Sequence, residues 1–203
     1  MINLKKVILI GGSPMVGKST VAAATASKLP YSCVSVISTD DIGEILLTVS
    51  DIDPMKGQNY LEYYAHSPKK KLIGDITEYH RKLEPAICRL IDIHSTWGNP
   101  LIMEGYALYP ELMGKINSDN VFSVWLIAGD GLLEKRMKAR KSFYQDAKEP
   151  EKAIENYLYR SEWHNRKIFE ECKAEKQKYI TVNEDSAAQD IAAMIMENLS
   201  INE

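Results

Sequence analysis

The octet Gly12-Ser13-Pro14-Met15-Val16-Gly17-Lys18-Ser19 reads G-x-x-x-x-G-K-[ST]. It follows the apolar run Val7-Ile8-Leu9-Ile10 and precedes Val21–Leu29, a run of mostly helix-compatible residues stopped by Pro30. A strand, a glycine-rich loop and a helix in that order leave the chain few options. The strand is buried, the helix starts at the loop, and the loop's backbone N–H groups converge on one point. An accidental glycine turn is the alternative reading, but the neighbours match on both sides. Converging N–H groups at the positive end of a helix suit a phosphate. Gly12, Ser13, Pro14, Met15, Val16, Gly17, Lys18, Ser19 and Thr20 are therefore the expected nucleotide-binding residues. Lys18 is expected to reach the β- and γ-phosphates and the Ser19 hydroxyl to be a metal ligand, which makes ATP and Mg²⁺ the expected cofactors.

Apolar runs alternate with amphipathic stretches, as in an α/β chain with a parallel sheet. Strands are expected at Lys6–Ile10, Cys33–Ile37, Leu101–Glu104, Val121–Ile127 and Tyr179–Val182. Helices are expected at Lys18–Leu29, Asp41–Thr48, Leu72–His94, Pro110–Lys115, Gly131–Lys141, Lys152–Lys176 and Ala187–Leu199. Ser186 with Gln189 three residues later reads as a capping box, and Pro85 should kink or divide its helix. A length of 203 residues fits one domain, residues 1–203, with a helical substrate-binding insertion at about 50–98 and a lid at about 131–150. The N-terminal apolar run breaks at Gly11-Gly12, too early for a signal peptide, and no segment is long enough to span a membrane. Three scattered cysteines without metal spacing fit reduced thiols, so a cytoplasmic location is expected. The net charge of -3 argues against a general nucleic-acid binder.

GTPases normally carry an N-K-x-D tetrapeptide, which this chain lacks, so phosphoryl transfer from ATP is the leading chemistry. It needs an acceptor-orienting group, a carboxylate near the metal, and positive charge over the transferring phosphoryl. Asp40, at the end of the second strand, is the candidate general base, although Asp40 or Asp41 could instead cap the following helix. Glu104, at the tip of the third strand, is the candidate metal carboxylate, with a solvated strand end as the alternative. Arg136 and Arg140 share a helix face as candidate phosphate contacts, with Arg160 and Arg166 behind them. Asn183 is placed to touch the base. His80 and His94 read as surface or half-buried, Tyr60, Tyr63 and Tyr64 as pocket or packing residues, and Trp97, Trp125 and Trp163 as core or interface anchors.

Three blocks together resemble the 2-phosphoglycerate kinase group of P-loop kinases. They are Gly11–Thr20, then Val36-Ile37-Ser38-Thr39-Asp40-Asp41-Ile42, then Leu101-Ile102-Met103-Glu104-Gly105-Tyr106-Ala107-Leu108-Tyr109-Pro110. The group's pattern is a G-G-x-x-G-x-G-K-S-T loop, an S-T-D-x-I-R turn and a strand ending E-G-x-x-L-x-P. The resemblance implies a three-layer α/β P-loop fold like that of the nucleoside-monophosphate kinases, with a parallel five-stranded sheet ordered 2-3-1-4-5. It also implies an ATP-dependent kinase acting on a small-molecule phosphoryl acceptor. Gly43 and Leu47 stand where the group places arginines, which points to a less charged acceptor. An ATP-binding regulatory protein without transfer activity is the alternative, and a nucleic-acid-end kinase a weaker one. No membrane partner is expected, and a homodimer stays open.

Overall fold

The computed structural model describes residues 5–50 and 52–200; the Met1–Leu4 part of the N-terminal segment lies outside them. Five strands form one sheet: β1 (Val7–Gly12), β2 (Ser35–Ser38), β3 (Leu101–Gly105), β4 (Val121–Ala128) and β5 (Tyr179–Val182). All pairings are parallel and the order is β2-β3-β1-β4-β5, as the resemblance implied. Parallel neighbours need crossovers, and helices supply them: α1 (Lys18–Ala26), α2 (Thr39–Val49), α3 (Tyr60–His66), α4 (Lys69–Thr96), α5 (Leu132–Ala139), α6 (Pro150–Ala174) and α7 (Ala188–Ser200).

Both faces of the sheet are covered, which explains the nearly unbroken apolar character of β1 and β4. Val7 and Leu9 point to a layer with Leu83 and Ile87 of α4 and Ile168 of α6. Their neighbours Ile8 and Ile10 point the other way, to Val21 of α1 and Ile195 and Leu199 of α7. Each of these four β1 side chains is essentially fully buried, contributing about 1.5–3 kcal/mol. A third cluster joins Tyr63, Tyr64, Leu72, Met137, Tyr144 and Ala153, so α3, α5 and the start of α6 pack together as a roof.

Several expectations need correction. Of the two effects expected of Pro85, the division does not occur; α4 runs 28 residues through it. Pro85 is exposed there, so water can take up the carbonyl its missing N–H leaves free. Helix α3 was not foreseen, although Asn59 caps it by accepting from the N–H groups of Leu61 and Glu62. Pro110–Lys115 is a 3-10 turn rather than an α-helix, and α1 ends at Ala26 rather than Leu29. The Ser186 hydroxyl accepts from the N–H of Asn183, upstream, in place of the expected capping box. Of the core and interface readings of Trp97, exposure removes the core one, whereas Trp125 is fully buried.

Candidate active site

Strand β1 keeps its ladder through Gly12, opposite Leu126 of β4, and only then turns into the loop. Gly17 takes φ +100° as it hands the chain to α1, a left-handed backbone that costs glycine little. Met15 also lies in the left-handed region, at φ +66°, at the position where the group's loop pattern carries glycine. Its carbonyl accepts a hydrogen bond from Arg136 Nη1 at 2.7 Å. On the other side, the carboxamide of Asn165 in α6 clasps the loop. Its Oδ1 accepts from Ala128 N (2.8 Å) and the Ser13 hydroxyl (3.4 Å), and its Nδ2 donates to Ala128 O (3.0 Å).

Within this frame the catalytic candidates converge. Lys18 is buried, and its ammonium donates to the Ser13 carbonyl at 2.9 Å. Burial lowers its pKa to about 8, against the pull of the Glu104 and Asp40 carboxylates. Ser19 donates its hydroxyl to Glu104 Oε1 at 2.9 Å, and Glu104 is buried at the β3 tip. These two oxygens from separate elements suit Mg²⁺, which prefers few protein ligands together with phosphate and water. Among the described residues no group of three or more His, Cys, Asp or Glu forms a metal cage.

Asp40 lies in the first turn of α2 and opens onto the same cleft. It is not the helix cap, and neither is Asp41: Ser38 takes that role, accepting from the Asp40 N–H at 3.2 Å. This frees the Asp40 side chain. Loss of surrounding water pushes its carboxyl pKa up, Lys18 opposes, and Glu104 adds to the rise.

The cleft, about 810 Å³, is lined by the loop from Pro14 to Thr20 and by Arg136 and Arg140. Arg166 is exposed and outside it. Asn183 lies in an adjoining depression with Asp130 and Lys135; Val182, Ser186 and Ala188 line the cleft there instead.

Groups that were underrated or missed line the cleft beyond the loop or lie buried behind it. Arg160, buried at 9% exposure, sits with Tyr79, Tyr106 and Tyr157. The signal was present in α6, where Asn156, Arg160, Ser161 and His164 share its buried stripe with Ala153, Ile168 and Cys172. His80 is buried rather than half-exposed; its Nδ1 lies 2.7 Å from the Tyr109 hydroxyl and its ring 5.8 Å from that of His164. Burial drives both imidazoles toward the neutral form, His80 well below its ordinary value and His164 to about 3.

No family model matches the chain. It is 30% and 32% identical to 2-phosphoglycerate kinases from two strains of Methanococcus maripaludis, over 97% of this chain and 61% of each relative. The chain thus spans about three fifths of the length of those relatives. Among solved structures it is similar to the shikimate kinase of Acinetobacter baumannii, solved with shikimate (TM-score 0.51, 16% identity, 100% of this chain and 96% of that one). It is also similar to the tunicamycin resistance protein of Deinococcus radiodurans (TM-score 0.52, 16% identity, 97% and 96%). The chain has the P-loop kinase fold and resembles the 2-phosphoglycerate kinase group along nearly its whole length.

Proposed function

We propose that this chain is an ATP-dependent kinase that transfers the γ-phosphoryl group to a hydroxyl of a small molecule. The observation that carries the reading is the meeting, at one end of the sheet, of the Ser19–Glu104 pair, buried Lys18 and uncapped Asp40. Carboxyl ends of parallel strands are where ligands bind in open α/β sheets. In this reading the loop N–H groups and the start of α1 hold the β-phosphate, while Ser19 and Glu104 hold Mg²⁺, which would neutralise phosphate charge. Lys18 exchanges the Ser13 carbonyl for phosphate oxygens. Arg136 is tethered to Met15 O with Arg140 beside it, and the pair adds positive charge from the proposed lid, residues 131–150. Asp40 accepts the acceptor's hydroxyl proton as the new O–P bond forms and the bond to the bridging oxygen breaks, releasing ADP. The acceptor lies under α3 and α6, in the space the insertion at about 50–98 helps to enclose.

The test is incubation with γ-labelled Mg-ATP and pooled metabolites, nucleosides and sugar derivatives, with detection of labelled products by mass. A labelled small molecule is the expected result. ATP binding with no labelled product from any pool would instead favour a regulatory nucleotide-binding protein.

A further inference from the structure

Beyond the loop the cleft is lined by Glu44, Tyr79, Tyr106, Tyr157 and Arg160, and Asp40 feels the charge of both Lys18 and Arg160. Of the cations lining the cleft, Lys18, Arg136 and Arg140 are given to ATP in the kinase reading, which leaves Arg160, more than nine-tenths buried, for the acceptor. The guanidinium lies over three rings, with centroids 4.8 Å away at Tyr157, 5.1 Å at Tyr64 and 5.7 Å at Tyr106. Among the described residues, no ion pair or hydrogen bond reaches it. Ring faces offset the charge in part, but they leave the in-plane N–H donors, which open on the cleft, without a protein acceptor. Arginine does not shed its proton, so burial cannot be relieved by neutralisation. The missing partner is an anion with two in-plane oxygens, delivered by a ligand.

The rest of the lining limits how much charge that ligand can carry. Asp40 and Glu44 lie on the α2 side, and the Tyr79 hydroxyl fills the space beside Gly43, where a Cβ atom would collide with it. No second cation therefore projects from position 43. A phosphate ester brings close to two negative charges, and the surplus would face two carboxylates. A single carboxylate matches the guanidinium fork and leaves nothing over. Building on the kinase reading, we infer that Arg160 receives one carboxylate of the acceptor, which is a small hydroxy-monocarboxylate bearing no phosphate, its hydroxyl directed to Asp40.

Calorimetry on the protein saturated with Mg²⁺ and a non-hydrolysable ATP analogue tests this without relying on turnover. The probes form two matched series: glycerate, glycerol and 2-phosphoglycerate; and shikimate with its methyl ester. In at least one series the monocarboxylate should bind, its neutral counterpart about 100-fold more weakly, because a buried donor set is left unpaired. 2-Phosphoglycerate should bind more weakly than glycerate. Arg160→Met should erase the preference for carboxylate and leave affinity for the ATP analogue unchanged. Arg160→Lys, which keeps the charge but loses the fork, should weaken carboxylate binding about tenfold and serves if the Met variant does not fold. Tighter binding of 2-phosphoglycerate than glycerate, no binding of either monocarboxylate, or a loss of analogue affinity in the variants with probe preference intact would each overturn the inference. The last of these would assign Arg160 to the nucleotide. Failure of the wild-type protein to bind the analogue at all would instead sink the kinase reading.

Discussion

Two parts of the cleft satisfy their charges in opposite ways. At the loop, polar groups pair with one another: Lys18 with the Ser13 carbonyl, Ser19 with Glu104, Arg136 with the Met15 carbonyl. Beyond the loop, Arg160 meets ring faces, and Tyr79 closes over a glycine. A site whose donors are already bonded must exchange partners on binding, so it gains little from a wrong ligand. A site with an unmatched buried cation discriminates by leaving that cation unsatisfied when the wrong ligand arrives. In the proposed reading, generality toward phosphate and selectivity toward the acceptor would thus belong to different parts of one cavity.

The contrast can be broken most severely at Lys18. Lys18→Ala should cut phosphoryl transfer by about 1,000-fold or more while the fold persists, as removal of a charge aimed at the transferring group does. Retained turnover in a γ-label assay would remove the loop from the mechanism. Next comes Asp40→Asn, for which turnover should fall about 100- to 10,000-fold with ATP affinity unchanged. Equal loss of both would make Asp40 part of the metal site. Beyond the loop, Gly43→Ala should destabilise the protein by about 1–3 kcal/mol, because the added methyl meets the Tyr79 hydroxyl. Tyr79→Phe in the same chain should recover part of that loss, and additive effects in denaturant titrations would show that the two do not touch. The smallest effect belongs to the buried imidazoles. Their folded pKa values lie below the unfolded value near 6.5, so the unfolded chain binds more protons once pH drops below it. The stability is fully present above about pH 6.5 and lost as pH falls toward about 3 at His164, at about 1.4 kcal/mol per pH unit for each imidazole. His164→Gln should reduce that slope by one proton's worth, measured as thermal stability against pH.

The loop was legible because its chemistry is consecutive in sequence. Gly12 to Thr20 lies in one stretch, and strand tips such as Glu104 follow from the apolar runs that precede them. The sheet order came from family resemblance, since apolar runs alone do not say which strands pair. The lining beyond the loop was hard to read because it is assembled across the chain: Glu44 and Gly43 from α2, Tyr79 from α4, Tyr106 after β3, Arg160 from α6. Arg160 could have been singled out as a polar residue inside a buried helical stripe, yet nothing local says which rings it meets. Ser38 displaced Asp41 as cap because a hydroxyl three residues earlier sits on the extended backbone there, and charge in a helix's first turn is favourable without capping. Asn59 with Glu62 was an available start signal for α3.

Where β1 leaves the sheet to form the loop, β4 runs on for two residues with no β1 partner, and the Asn165 carboxamide takes that place against Ala128. One side chain of α6 therefore acts as a short length of strand, and it is tied to the loop's own Ser13. Arg160 lies five residues earlier on the same helix, so its distance from the phosphate cradle is set by a rigid ruler rather than by the ligands. In the proposed reading, an acceptor of the wrong length would not be accommodated by sliding α6; it would leave one of its two ends unbound.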